Sequence, residues 1–144
     1  MRPPIAAAVT ALLLAASAAR AQGIQFVGTE VAGRPFTPVV RVDHTLYLSG
    51  QLGTDSTGKL VPGGIRAETR QALLNIKKLL EQNGSDMSHV AKCTVYMADM
   101  KEWATMNEVY VTMFPDHRPA RSAFGTTGLA LDGRLEIECI GVLK

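Results

Sequence analysis

The sequence predicts an α+β domain: a mixed β-sheet with two helices on one face. Three observations carry this. Residues 65–82 and 103–114 repeat apolar side chains at helical spacing, and short alternating stretches lie before, between and after them. The resulting order, β-β-(β)-α-β-α-β-β, supplies helices for only one side of a sheet.

Residues 38–42 and 45–49 set Val, Leu and Tyr in alternation around Asp43-His44, which predicts a hairpin with a two-residue turn. Residues 50–64 hold five glycines and a proline and therefore read as loop, with one short strand near 59–61. In 65–82 the stripe is Ile65, Ala72, Leu73, Ile76, Leu79 and Leu80, with Arg66, Glu68, Arg70, Lys77 and Glu81 largely off it. Asn83-Gly84 is a C-terminal cap signal.

Ala91, Cys93, Val95 and Met97 alternate with Lys92 and Thr94, which suits a strand over 90–97 with one face against helices. Asp99 and Glu102 have capping-box spacing and open a second helix, which Pro115 stops. Its Trp103, Met106, Tyr110, Met113 and Phe114 read as core. Residues 120–124 and 134–143 are the closing strands. In the last, Leu135, Ile137, Cys139 and Leu143 share one face and Glu136, Glu138, Ile140 and Val142 the other. The second set is too apolar for water and too charged for an ordinary core, so it is expected at a subunit interface that holds a polar pocket.

Residues 1–21 have the three parts of a secretory signal. Arg2 charges the start, an apolar run follows from Ile5 to about Ala16, and Ala19-Arg20-Ala21 fits cleavage after Ala21. Residues 22–144 are then a single domain, expected to be periplasmic or secreted and free of the membrane. Of 15 basic residues, Arg2 and Arg20 fall in the signal, leaving 13 against 13 acidic. A neutral domain without a Lys/Arg run has no electrostatic footprint for nucleic acid. Export permits a disulfide between Cys93 and Cys139, but both sit in apolar strand patterns and buried free thiols are the expectation. His44, His89 and His117 show no ligand spacing, so no metal site is expected.

Arg121 and Glu136 are the candidate chemical pair. With Asp132-Gly133 turning the chain between them, they are expected near each other across a hairpin-like return. From the residues alone, this is either an anion clamp beside a base or a solvated cross-strand ion pair. Asn107, one step off the apolar stripe, is either a polar group that needs a partner or simply exposed.

Ser49-Gly50-Gln51, Asn107, Pro119-Ala120-Arg121-Ser122 and Glu136-Ile137-Glu138 together make the chain resemble the RidA/YjgF family of imine and enamine deaminases, from about Phe36 to Val142. The resemblance implies a chorismate-mutase-like fold and a homotrimer with a barrel core. It also implies active sites in the clefts between subunits and no cofactor. By position, Arg121 is similar to the family's ligand for the substrate carboxylate and Glu136 to the carboxylate that positions or activates water. Ser49, Gly50 and Asn107 match residues lining the cleft.

The chain departs from the family at two positions: Ala123 stands where many deaminases have a cysteine, and Phe36 where a tyrosine often reaches in. The implied activity is hydrolysis of 2-imino or 2-enamino acids to 2-keto acids and ammonia. The alternative is a protein of the same fold that binds small carboxylates without turnover, or acts like a chaperone.

Overall fold

The structure is a computed structural model that describes residues 23–27, 33 and 35–144. The expected signal, 1–21, lies outside the described residues. Among the described residues, seven strands form one sheet: β1 (Ile24–Val27), β2 (Val39–Val42), β3 (Thr45–Leu48), β4 (Gln51–Leu52), β5 (Val90–Met97), β6 (Ala120–Gly125) and β7 (Leu135–Val142). Two helices, α1 (Gly64–Gln82) and α2 (Trp103–Tyr110), cover one face.

The sheet order is β1-β2-β3-β7-β5-β6, with β4 also paired to β7. β2 and β3 form the expected hairpin, whose turn puts Asp43 at φ 53. β1 pairs antiparallel with β2, and its exposed side chains carry no buried alternation by which the sequence could announce it. The strand expected near 59–61 is a single bridge between Thr54 and Leu60.

The core lies between the helices and one sheet face. Leu46, Leu48, Val95, Met97, Leu135 and Ile137 pack against Ala72, Leu73, Ile76 and Leu80 of α1 and Met106 and Tyr110 of α2. Burying each large aliphatic side chain contributes about 1.5–3 kcal/mol, so this layer holds the fold together. The α1 stripe, the α2 stripe from Met106 onward and the inward face of β7 are those the periodicity predicts. Leu135, Ile137 and Cys139 are buried and Glu136, Glu138 and Ile140 half-buried.

Four expectations are corrected. Glu68 is buried rather than off the stripe of α1, because its carboxylate accepts the Arg134 backbone N–H at 2.8 Å. Asp99 caps a short 3-10 turn, Met100–Glu102, by accepting from the Lys101 N–H. Glu102 bonds Arg134 instead of closing a capping box, and α2 starts only at Trp103, whose side chain is 43% exposed rather than core.

The third correction concerns the cysteines. β5 and β7 pair so that Cys93 and Cys139 stand directly opposite on the core face, Cα atoms 4.1 Å apart, and they are disulfide-bonded. Alternation shows each thiol to be buried, but only the register shows that they meet.

The fourth concerns the closing strands. β6 is not the hairpin partner of β7. It runs parallel to β5 at the sheet edge, and β5 separates it from β7. A βαβ crossover through α2 places β6 there, and the chain then passes across β5 to enter β7. Left-handed backbone in that passage falls on Leu131 and Asp132, not on Gly133.

Candidate active site

The sheet register separates the candidate residues into two half-sites. Cys93 is level with Arg121 on one side and with Cys139 on the other, while Glu136 is level with Tyr96. Arg121 therefore lies two strands and three residues from Glu136, on the order of 14 Å between Cα atoms. Sharing the level of buried Cys93, Arg121 points to the helix side, whereas Glu136 points to the open face. Within one chain they form neither clamp and base nor an ion pair.

The Glu136 half-site is built on a bulge. Between the pairs Tyr47 with Ile140 and Gln51 with Ile137, three steps along β7 are matched by four along β3 and β4. The extra residue falls at Ser49-Gly50, where a bulge re-aims the backbone. Gly50 then approaches Glu136 so closely that a Cβ there would lie 1.8 Å from Oε1 of the carboxylate. Only glycine leaves the carboxylate its place.

Ser49 Oγ donates to the Thr37 carbonyl at 2.7 Å, and the Ser49 N–H to the Pro38 carbonyl, which ties the segment after Phe36 to the bulge. The Gln51 amide donates to the carbonyls of Ser49 and Gly50 at 2.9 and 3.1 Å. The Ser49 hydroxyl thus orders the bulge. Phe36 lines a separate groove of about 660 Å³ with Gln51 and with Leu74 and Asn75 of α1.

Burial raises the Glu136 carboxyl above the ordinary carboxylate range, and the charge of Glu138 adds to the shift. Tyr96 Oη donates to Glu138 Oε1 at 3.2 Å. The Tyr96 phenol is itself raised, first by burial and then by the Glu138 charge. Tyr96 was not among the sequence candidates, and Glu138 entered there as part of the Glu136-Ile137-Glu138 motif without a role of its own. Alternation along the last strand already puts Glu138 on the face of Glu136, whereas only the register of β5 against β7 sets Tyr96 opposite Glu136.

The second half-site lies on edge strand β6 and α2. The Arg121 guanidinium carbon is 4.5 Å from the centroid of the Tyr110 ring, a cation–π stack. Asn107 precedes Tyr110 by three residues on α2, and so shares its side of the helix. Ala123, level with Val95, packs on the core. Among the described residues Arg121 makes no ion pair. Burial pushes the Tyr110 phenol up to about 12, with the Arg121 charge acting the other way.

His89 and His117, distant in sequence, both reach Ser88, His117 Nε2 lying 2.7 Å from its carbonyl oxygen. No group of three His, Cys, Asp or Glu among the described residues could hold a metal ion.

A family model described as endoribonuclease L-PSP matches residues 29–143. A mouse protein named 2-iminobutanoate/2-iminopropanoate deaminase is 46% identical over 109 residues, covering 75% of this chain and 81% of that protein. The Arabidopsis thaliana protein named Reactive Intermediate Deaminase A, chloroplastic, is 34% identical and covers 98% of this chain and 74% of its own length. Among solved structures, yeast Mmf1 superposes with a TM-score of 0.79 at 33% identity, over 85% of this chain and all of that one. The chain belongs to the endoribonuclease L-PSP family, which is the RidA/YjgF family.

Proposed function

We propose that this protein hydrolyses small 2-imino and 2-enamino acids to 2-keto acids and ammonia, at sites formed between copies in a homotrimer. The observation that carries this is the division of one chemical set between two remote half-sites. Arg121 has an unpaired guanidinium without a base, and Glu136 a raised carboxyl without an anion clamp. A neighbouring copy that set its edge strand β6 against the Ser49-Gly50 bulge would join them.

The open sheet face supports such packing. Tyr47 is 48% and Phe124 46% exposed, and Val142, Ile24 and Phe26 are exposed on the same face. An apolar face of this extent calls for cover. The names of the mouse and Arabidopsis relatives support the reaction.

In the joined site, Arg121 takes the substrate carboxylate through two charge-assisted hydrogen bonds, which its planar fork fits and a lysine would not. Water held at Glu136 attacks C2 of the C=N bond and gives Glu136 its proton. Glu136 returns that proton to the nitrogen to give the carbinolamine; it then takes the hydroxyl proton as the C=O bond forms and the C–N bond breaks, and passes it to the departing nitrogen, which leaves as ammonia. A carboxyl raised by burial suits this shuttle, because it takes and returns a proton more evenly at neutral pH than an ordinary one. Such acid–base assistance is worth about 10²- to 10⁴-fold.

The proposal extends to export, with residues 1–21 removed and residues 22–144 working in the periplasm or outside the cell. The Cys93–Cys139 disulfide supports an oxidising compartment. Ribonuclease activity, which the family description suggests, draws no support from the balanced charge of residues 22–144.

The test couples an amino-acid oxidase, which makes imines in situ, to release of 2-keto acid with and without the purified protein. Faster release is expected. Binding of 2-keto acids without acceleration would instead favour the carboxylate-binding alternative, consistent with Phe36 and Ala123 lacking a hydroxyl and a thiol.

A further inference from the structure

We propose that Tyr110 is a positioning residue for the carboxylate clamp, its ring being the platform that fixes the Arg121 guanidinium. This role presupposes the deaminase reading above. Tyr110 is 2% exposed and held in the core, where its ring packs on Phe114 with centroids 4.9 Å apart. Arg121 lies half-buried across that ring, so a rigid surface meets the flexible side chain.

The stack solves a problem that an ion pair would not. A carboxylate partner would hold Arg121 but occupy the N–H donors that a substrate carboxylate needs. A ring holds the guanidinium by its flat face and leaves the in-plane donors free. Among the described residues, no side-chain hydrogen bond or ion pair engages those donors.

The platform is the ring, not the hydroxyl. Tyr110 Oη is buried and has no hydrogen-bond partner among the described residues, so it holds nothing in place. Phenylalanine should therefore do the same work, and an aliphatic side chain of similar bulk should not. Sequence periodicity assigns Tyr110 to the core, which is correct but incomplete: one side of its ring is core and the other carries Arg121.

The experiment measures binding of 2-oxobutanoate and the KM and kcat for imine hydrolysis in wild type, Tyr110→Phe and Tyr110→Leu, with thermal melting of each. Tyr110→Phe should match wild type within about twofold. Tyr110→Leu should raise Kd and KM by roughly 3- to 30-fold, the range of an exposed to desolvated cation–π contact, with a smaller change in kcat. A merely structural role would lower the melting temperature of Tyr110→Leu and leave the Kd of the folded protein unchanged.

Equal Kd in wild type and Tyr110→Leu overturns the platform alone. A wild type that neither binds 2-oxobutanoate nor hydrolyses imines overturns the deaminase reading and the platform with it. Should Tyr110→Leu fail to fold, NMR of wild type decides the point. Arg121 side-chain protons must show an upfield ring-current shift, and unshifted resonances overturn the stack.

Discussion

Gly50 and Glu136 share a space that admits only one side chain: a Cβ on Gly50 would fall 1.8 Å from Glu136 Oε1 and 2.7 Å from its carboxyl carbon. Gly50→Ala must therefore push the carboxylate out of its position against the bulge. The expected result is a loss of turnover on the order of 10²-fold, the lower end of general acid–base assistance, with binding of 2-oxobutanoate changed only a few-fold. Steady-state kinetics beside calorimetric binding checks this, and unchanged kcat would remove Glu136 from the chemistry.

The Cys93–Cys139 bridge closes a loop of 46 residues across the centre of the sheet, between the strand that carries Glu136 and the strand that aligns Arg121. Loop closure of this size stabilises by about 2–4 kcal/mol through the unfolded chain. Reduction, or replacement of both cysteines by alanine, should lower the melting temperature by on the order of 10 °C. The folded protein should keep its turnover at 25 °C, because neither sulfur belongs to a half-site. Melting curves with and without dithiothreitol read the first expectation, and the coupled assay reads the second.

Glu136 gives the pH dependence its sign. Its carboxyl is raised above the ordinary 4.5 by burial and by the Glu138 charge. The base works when ionised, so kcat/KM should rise with pH along a limb that lies above pH 4.5. For stability the sign reverses. A carboxyl whose folded pKa is raised contributes fully below its unfolded pKa, and that contribution is lost as pH rises through the folded value. Glu136→Gln should abolish the limb and leave the protein at least as stable as wild type at neutral pH. Lower stability of the glutamine variant at pH 7–8 would contradict the burial of this charge.

Periodicity carried most of the fold. The stripes of α1 and α2 and the alternation of β7 are repeated patterns in which each residue supports the next, and the buried sets follow them closely. Contacts set by single registers were not legible. Nothing in the pattern around Cys93 or Cys139 says which strands are neighbours. Likewise, Asp132-Gly133 invited a hairpin that the crossover through α2 forbids. Glu68 has a polar side chain whose burial depends on one backbone N–H, of Arg134, far along the chain. Arg121, Glu136 and Asn107 stood out as residues, and the resemblance added Ser49 and Gly50 and gave each a role. Their separation into halves needed the sheet order.

That separation yields the most decisive expectation. If the protein is a cyclic trimer in which Arg121 of one copy faces Glu136 of the next, Arg121→Ala and Glu136→Gln assemblies are each inactive at every site. Unfolded together at equal concentration and refolded, the two variants assort into mixed trimers. In any mixed trimer, one of three interfaces joins an intact Arg121 to an intact Glu136. Random assortment makes about three-quarters of the trimers mixed, so about a quarter of wild-type turnover should return, given the ring closure of a cyclic trimer. A site contained in one chain gives no recovery at any ratio, because every chain then carries a lesion. Recovery that peaks at equal mixing and vanishes at either extreme would place the two halves on different copies, in keeping with the opposite faces that Arg121 and Glu136 take within one chain.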